Sequence, residues 1–182
     1  MTPLLFGSFC RADDRARDRA TLKGIQSVFV RVHSWELEWK QELKQAGMEE
    51  SILQSLIEQK LEKSGIPVIP EETAKKLETE GSLNIRMQII EPEPAKKIYK
   101  TWNENEIAII DIKKKYIYAI RLNFRQMVLF PRNPALKSQA ITWQTDSVGF
   151  RRLSLIREDV LNVIDFFIEA YLSENPNSQP TN

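Results

Sequence analysis

The sequence predicts an α/β (α+β) fold, a two-layer sandwich in which a mixed, mostly antiparallel sheet carries two main helices on one face. Three observations predict it. Apolar and polar residues alternate with period two in residues 27–32, 83–91 and 116–130, the pattern of strands with one buried face. Residues 48–64 and 154–173 instead repeat apolar side chains every three to four positions, as amphipathic helices do. The late strands follow one another through links too short for a parallel crossover, so they pair antiparallel, whereas the early strand–helix–strand order allows one right-handed crossover. One sheet and two helices then segregate into two layers. The expected organisation is a signal-like or disordered segment over residues 1–23, a single domain over 24–174 and a disordered tail over 175–182.

Taken in order, residues 2–9 are apolar and precede Cys10, after which residues 11–23 are densely charged. This pattern resembles the end of a secretory signal peptide that lacks its basic start; the competing reading is an ordinary N-terminus with a few apolar residues. Phe9 before Cys10 is too bulky for a lipid-attachment site. In the first strand Val28, Val30 and Val32 share a face and Phe29, Arg31 and His33 share the other. Residues 35–46 read as a connection with some helical character. In the first main helix Met48, Ile52, Leu53, Leu56, Ile57 and Leu61 form the apolar stripe, and Gly65 suits a left-handed residue just past its end. Residues 66–70 contain Pro67 and Pro70, so they make a short edge strand or an extended segment. Residues 71–81 read as a charged connection with one or two helical turns.

The next strand places Leu83, Ile85, Met87 and Ile89 on one face, and Pro92 and Pro94 end it. Residues 95–106 read as a loop, and the apolar run 107–112 could pair with the following strand through a turn at 113–115. The longest strand, 116–130, sets Tyr116, Tyr118, Ile120, Leu122, Phe124, Val128 and Phe130 against a face bearing Arg121, Asn123 and Arg125. Pro131, Asn133 and Pro134 break it. Residues 139–145 make a hairpin partner and Ser147-Val148-Gly149 a turn. Ser154 suits the N-cap of the last helix, and residues 175–177 stop it.

Composition removes many functions. The chain has 182 residues, 42% of them hydrophobic and 28% charged, which suits a packed domain. One cysteine excludes an intramolecular disulfide and multi-cysteine metal sites, and one histidine excludes histidine-rich ones. No nucleophile elbow, glycine-rich phosphate loop or buried pair of acids is present. Catalytic, cofactor-binding and metal residues are accordingly expected to be none. No stretch is long enough to cross a membrane as a helix.

The net charge of +1 hides an asymmetry. Residues 34–82 hold 11 acids and 6 bases, a net of −5, whereas residues 96–137 hold 10 bases and 3 acids, a net of +7. The sheet face away from the helices would carry Arg86, Arg121, Asn123 and Arg125, with Lys113, Lys114 and Lys115 beside it. These seven residues form the candidate interaction surface. The tyrosines of the long strand fall on the opposite face, which argues against base stacking. Trp143 and Phe150, flanking the expected turn, form a candidate small pocket.

The runs Leu22-Lys23-Gly24-Ile25, Lys63-Ser64-Gly65-Ile66-Pro67-Val68, Gln126-Met127-Val128-Leu129-Phe130, Thr142-Trp143 with Val148-Gly149, and Val163-Ile164-Asp165-Phe166-Phe167 with Tyr171-Leu172 and Asn175-Pro176 resemble a group of uncharacterised bacterial exported small α/β proteins. The likeness spans residues 22–176 and implies a periplasmic or secreted domain. It consists of core and turn residues and implies no catalytic residue. The expected function is therefore non-catalytic binding of a protein or a cell-envelope component. The alternative is an RNA- or polyanion-binding module that uses the basic region 96–137.

Overall fold

Residues 16–33, 40–76, 81–90 and 115–176 are described by a computed structural model. In chain order they form α1 (Ala16–Arg19) and a 3-10 turn (Ala20–Leu22), β1 (Val28–Val32), α2 (Lys40–Gln45), α3 (Glu50–Lys63), α4 (Glu71–Lys76), β2 (Gly81–Ile90), β3 (Tyr116–Phe130), β4 (Asn133–Arg151) and α5 (Leu153–Glu174). The strands make one mixed sheet in the order β1-β2-β3-β4. β1 runs parallel to β2, and the β2/β3 and β3/β4 pairs are antiparallel. The α/β fold expected from the alternation is the one observed.

One face of the sheet packs on the helices. Val28, Val30, Val32, Leu83, Ile85, Ile120, Leu122 and Phe124 meet Leu53, Ile57 and Leu61 of α3 and Ile156, Val160, Val163, Ile164 and Phe167 of α5 in a single core. Each fully buried Leu, Ile or Phe there contributes about 1.5–3 kcal/mol relative to exposure. Phe167 anchors the aromatic centre, 5.4 Å from the Phe124 ring and 5.3 Å from Trp143, the latter edge-on. Ile52, expected in the α3 stripe, is instead exposed. α3 ends as its sequence suggests. Gly65 takes φ 81°; its N–H donates to the Glu62 carbonyl, and that of Ile66 donates to the Leu61 carbonyl. These two bonds satisfy carbonyls that the helix end would leave open.

The edge of β1 is covered. Val28 forms a parallel bridge with Val68, its N–H donates to Pro67 and its carbonyl accepts from Ile69. Pro67 and Pro70 bracket this short segment, so it closes one sheet edge without offering a full new one.

Several expectations are corrected. The packed body reaches back past Gly24, since Leu22 is fully buried. Asn175, expected in the tail, holds it there: its Nδ2 donates to the Leu22 carbonyl at 2.9 Å, and its Oδ1 accepts from the Gly24 N–H at 2.8 Å. The turn at Ser147-Val148-Gly149 does not exist. These residues lie inside β4, paired with Ile120, Ala119 and Tyr118. The glycine serves packing rather than chain reversal, because a Cβ at Gly149 would collide with the Tyr118 ring and hydroxyl. Nor does Pro134 end the sheet. Chain reversal takes place in two residues, and β4 starts at Asn133, which pairs with Phe130. Val128 and Phe130 do not continue the buried face: no residue from 125 to 142 is buried, so this stretch has run past the core. Ser154 lies within the first turn of α5; the N-cap is Arg152, with no side-chain cap bond. The expected loop 95–106, the apolar run 107–112, Cys10, and residues 177–182 of the tail fall outside the described residues.

Candidate functional site

Strand alternation puts five cross-strand rows on the sheet face away from the helices. From one end they are Phe29, Ser82, Arg125 and Ile141; then Arg31, Asn84, Asn123 and Gln144; then Arg86, Arg121 and Asp146; then Gln88, Ala119 and Val148; and last Ile90, Ile117 and Phe150. The face changes character along this series. Its first rows are mixed, with Phe29 and Ile141 beside polar groups that are in part bonded to one another. Asn84 donates to the Ser82 carbonyl and hydroxyl, both at 2.9 Å, and its Oδ1 lies 3.1 Å from Nε2 of His33. Arg31 pairs with Glu71 and lies over the Phe29 ring, 5.2 Å from its centroid. Glu71 also meets Lys75 at 3.2 Å. That contact, with Arg31 contributing, holds its carboxyl below the usual glutamate range against the opposing effect of desolvation.

The last rows are apolar apart from Gln88 and uncovered among the described residues. Ile90 is 60% exposed, Phe150 54%, Val148 53% and Ile117 42%. Ile90, Ile117 and Phe150 are direct neighbours on three adjacent strands, with Val148 next to them on the same face. Cross-strand neighbours sit about 4.5–5.5 Å apart at Cβ, so the four side chains form one patch. Lys115 rims it, its ammonium 5.4 Å from the Phe150 ring centroid. Arg86 and Arg121 border it two rows away.

The residues expected on this face from sequence are thus partly brought together. Arg86 and Arg121 are direct cross-strand partners and both exposed. Arg121 is neutralised by Asp146 at 2.9 Å. Asn123 is on the face but 95% buried, and its Oδ1 has no hydrogen-bond partner. Arg125 is on the face, in the row of Ser82 and Ile141, but half-buried, and its Nε has no hydrogen-bond partner. Lys113 and Lys114 lie outside the described residues. The candidate pocket of Trp143 and Phe150 is corrected: Trp143 is buried in the core against Phe167, whereas Phe150 points out of the opposite face. An odd number of steps separates them on a continuous strand with alternating faces, so they cannot line one cavity.

Sequence reasoning missed the patch. Its signal was present as apolar residues in the polar phase of the alternation, Ile117 and Ala119 in β3 and the doublet Ile89-Ile90 in β2. It also missed a buried polar group under the helix layer. Asp159, on the apolar stripe of α5, is fully buried; Tyr118 donates to its Oδ2 at 2.5 Å, and Arg151 lies 3.3 Å from its Oδ1. Burial, then the bond to Asp159, pushes the Tyr118 hydroxyl well above the usual phenol range. The Asp159 carboxyl thus meets one hydroxyl and one guanidinium. It is a device for fixing β3, β4 and α5 together.

A shallow, open recess lined by Glu62, Gly65, Ile66, Pro67 and Val68 presents a single carboxylate and no nucleophile. Among the described residues no three His, Cys, Asp or Glu side chains gather to hold a metal. No described helix is long and apolar enough to cross a membrane. Comparison with protein-family models, curated proteins and solved structures finds no match for the chain.

Proposed function

We propose that this chain is a non-catalytic domain that binds a protein or a cell-envelope component through its open sheet face. One observation carries the reading: Ile90, Ile117, Val148 and Phe150 form an exposed apolar patch on three adjacent strands, bordered by Lys115, Arg86 and Arg121. An apolar centre with a cationic rim is how a docking surface excludes water and orients its partner. A single isolated exposed side chain carries no such meaning, but four clustered at one end of one sheet face do. Export to the periplasm or outside the cell, and kinship with exported bacterial proteins, belong to the same proposal and rest on the core and turn residues quoted above. Phe150→Asp is the test. The substitution is on the surface, so the melting temperature should stay within about 2 °C of the parent. Affinity capture from the source organism should then yield a partner with the parent chain and lose it with the variant. Equal capture by both would remove the open face from the function.

A second reading, polyanion binding through the basic region 96–137, is favoured by Arg121 of that region facing Arg86 of β2, with only one acid, Asp146, in their row. Binding of this kind weakens steeply with salt. Arg86→Glu with Arg121→Glu should abolish it, and unchanged binding would end this reading.

A further inference from the structure

The β3/β4 hairpin beyond Phe124 is an arm, and its chemistry is unlike that of the sheet it extends. No residue from 125 to 142 is buried, whereas every neighbouring strand segment under the helices contributes to the core. Five ladder residues of β3, 126 to 130, extend it by about 17 Å at the usual rise of a strand. At the base, the Gln126 amide donates to the Thr142 hydroxyl at 2.7 Å and to the Thr21 carbonyl at 2.9 Å, which fixes the direction of the arm against the 3-10 turn. From there outward the arm presents Met127, Leu129, Phe130 and Leu136, between 38% and 58% exposed. Its only charges are Arg125, Arg132 and Lys137, and no Asp or Glu occurs from residue 112 to 145.

We infer that the tip of this arm inserts into the interfacial region of an anionic lipid bilayer. The apolar side chains lie on both faces of the ribbon and beside its turn. A protein groove covers one face of a ribbon, whereas a lipid interface surrounds a tip. Arg132 lies in the two-residue turn and Lys137 pairs with Leu129, so the cations sit among the apolar side chains; their long stems let the charged ends stay with anionic headgroups while the apolar atoms enter the acyl boundary. Backbone donors are costly to desolvate there; Pro131 and Pro134 remove two of them at the tip and the ladder pairs the β3 backbone up to Phe130, whereas Ala135 and Leu136 lie outside the ladder. Three cations are few for a nucleic-acid ribbon, and exposed leucines would serve no purpose along a phosphate backbone. The arm lies at the opposite end of the sheet from the Ile90, Ile117 and Phe150 patch, so this inference stands independently of docking at that patch.

Flotation of the full chain with lipid vesicles tests it. Binding to phosphatidylcholine vesicles containing roughly one-third phosphatidylglycerol is expected, with background binding to phosphatidylcholine alone and loss at high salt. Leu129→Ser with Phe130→Ser should weaken that binding by at least about tenfold, and Arg132→Glu with Lys137→Glu by a similar factor. Phe150→Asp, at the other end of the sheet, should bind as the parent does, so a defect in docking and a defect in the arm are separable. Phe130→Trp supplies a readout that survives any loss of stability in the double variants: the emission of the introduced indole should shift to the blue on anionic vesicles and not on phosphatidylcholine. Background flotation with both vesicles, an unshifted emission from the Phe130→Trp variant, or equal binding by the serine double variant would overturn the inference. So would binding to a single-stranded oligonucleotide that needs Arg132 and Lys137 but not Leu129 and Phe130, which would make the arm a nucleic-acid contact.

Discussion

Gly149 and Tyr118 show how one pair of residues orders three elements. The ring of Tyr118 lies across the glycine on the neighbouring strand, so its hydroxyl reaches Asp159 on α5. Gly149→Ala would push the ring aside and cost about 1–3 kcal/mol through overpacking and the loss of that bond. A lower denaturant midpoint with an unchanged slope checks it. The same hydroxyl gives a pH dependence. Its folded-state pKa is raised above the value of 10.0 it has when unfolded. Below that pH both states keep the proton and the contribution is complete. Above it the unfolded chain ionises first, so stability falls as pH rises from about 10. Melting curves should show this alkaline loss in the parent and a shallower one in Tyr118→Phe.

Among the elements, legibility followed how much of the local pattern served local structure. β1, β2 and the first half of β3 alternate because one face is buried, and α3 could be read down to its closing glycine. Gly65→Ala should cost about 1–2 kcal/mol, because a left-handed residue there carries the two closing bonds. A drop in melting temperature of about 2–8 °C checks it. β4 was legible only in its middle. Pro134 and the run Ser147-Val148-Gly149 look like punctuation, yet one sits at the tip of an arm and the other makes room for an aromatic ring. α1 and its 3-10 turn were lost among the charges of residues 11–23, since only Leu22 enters the core. The candidate site was half legible. Arg86 and Arg121 follow from period two, but the apolar patch required knowing that residues 90, 117 and 150 share a row, which is register information spread across three strands distant in sequence.

At the scale of the molecule the two sheet edges and two sheet faces are treated differently. The β1 edge is closed by a proline-bracketed segment and the helix face by α3 and α5. The open face is mostly polar at one end, where the Asn123 Oδ1 and Arg125 Nε stay without partners, and apolar at the other. Charge is also divided, so the net of +1 describes neither pole. A binding domain needs this asymmetry, because a partner must meet one surface and not its opposite.

Site-specific photo-crosslinking tests the open face most directly. A benzoylphenylalanine at position 150 would replace one aromatic by another at an exposed site, and the same group at position 155 would sit on exposed α5 surface. In extracts of the source organism the account expects a discrete adduct from position 150 and none from position 155. No adduct from position 150, or the same adducts from both, would contradict it.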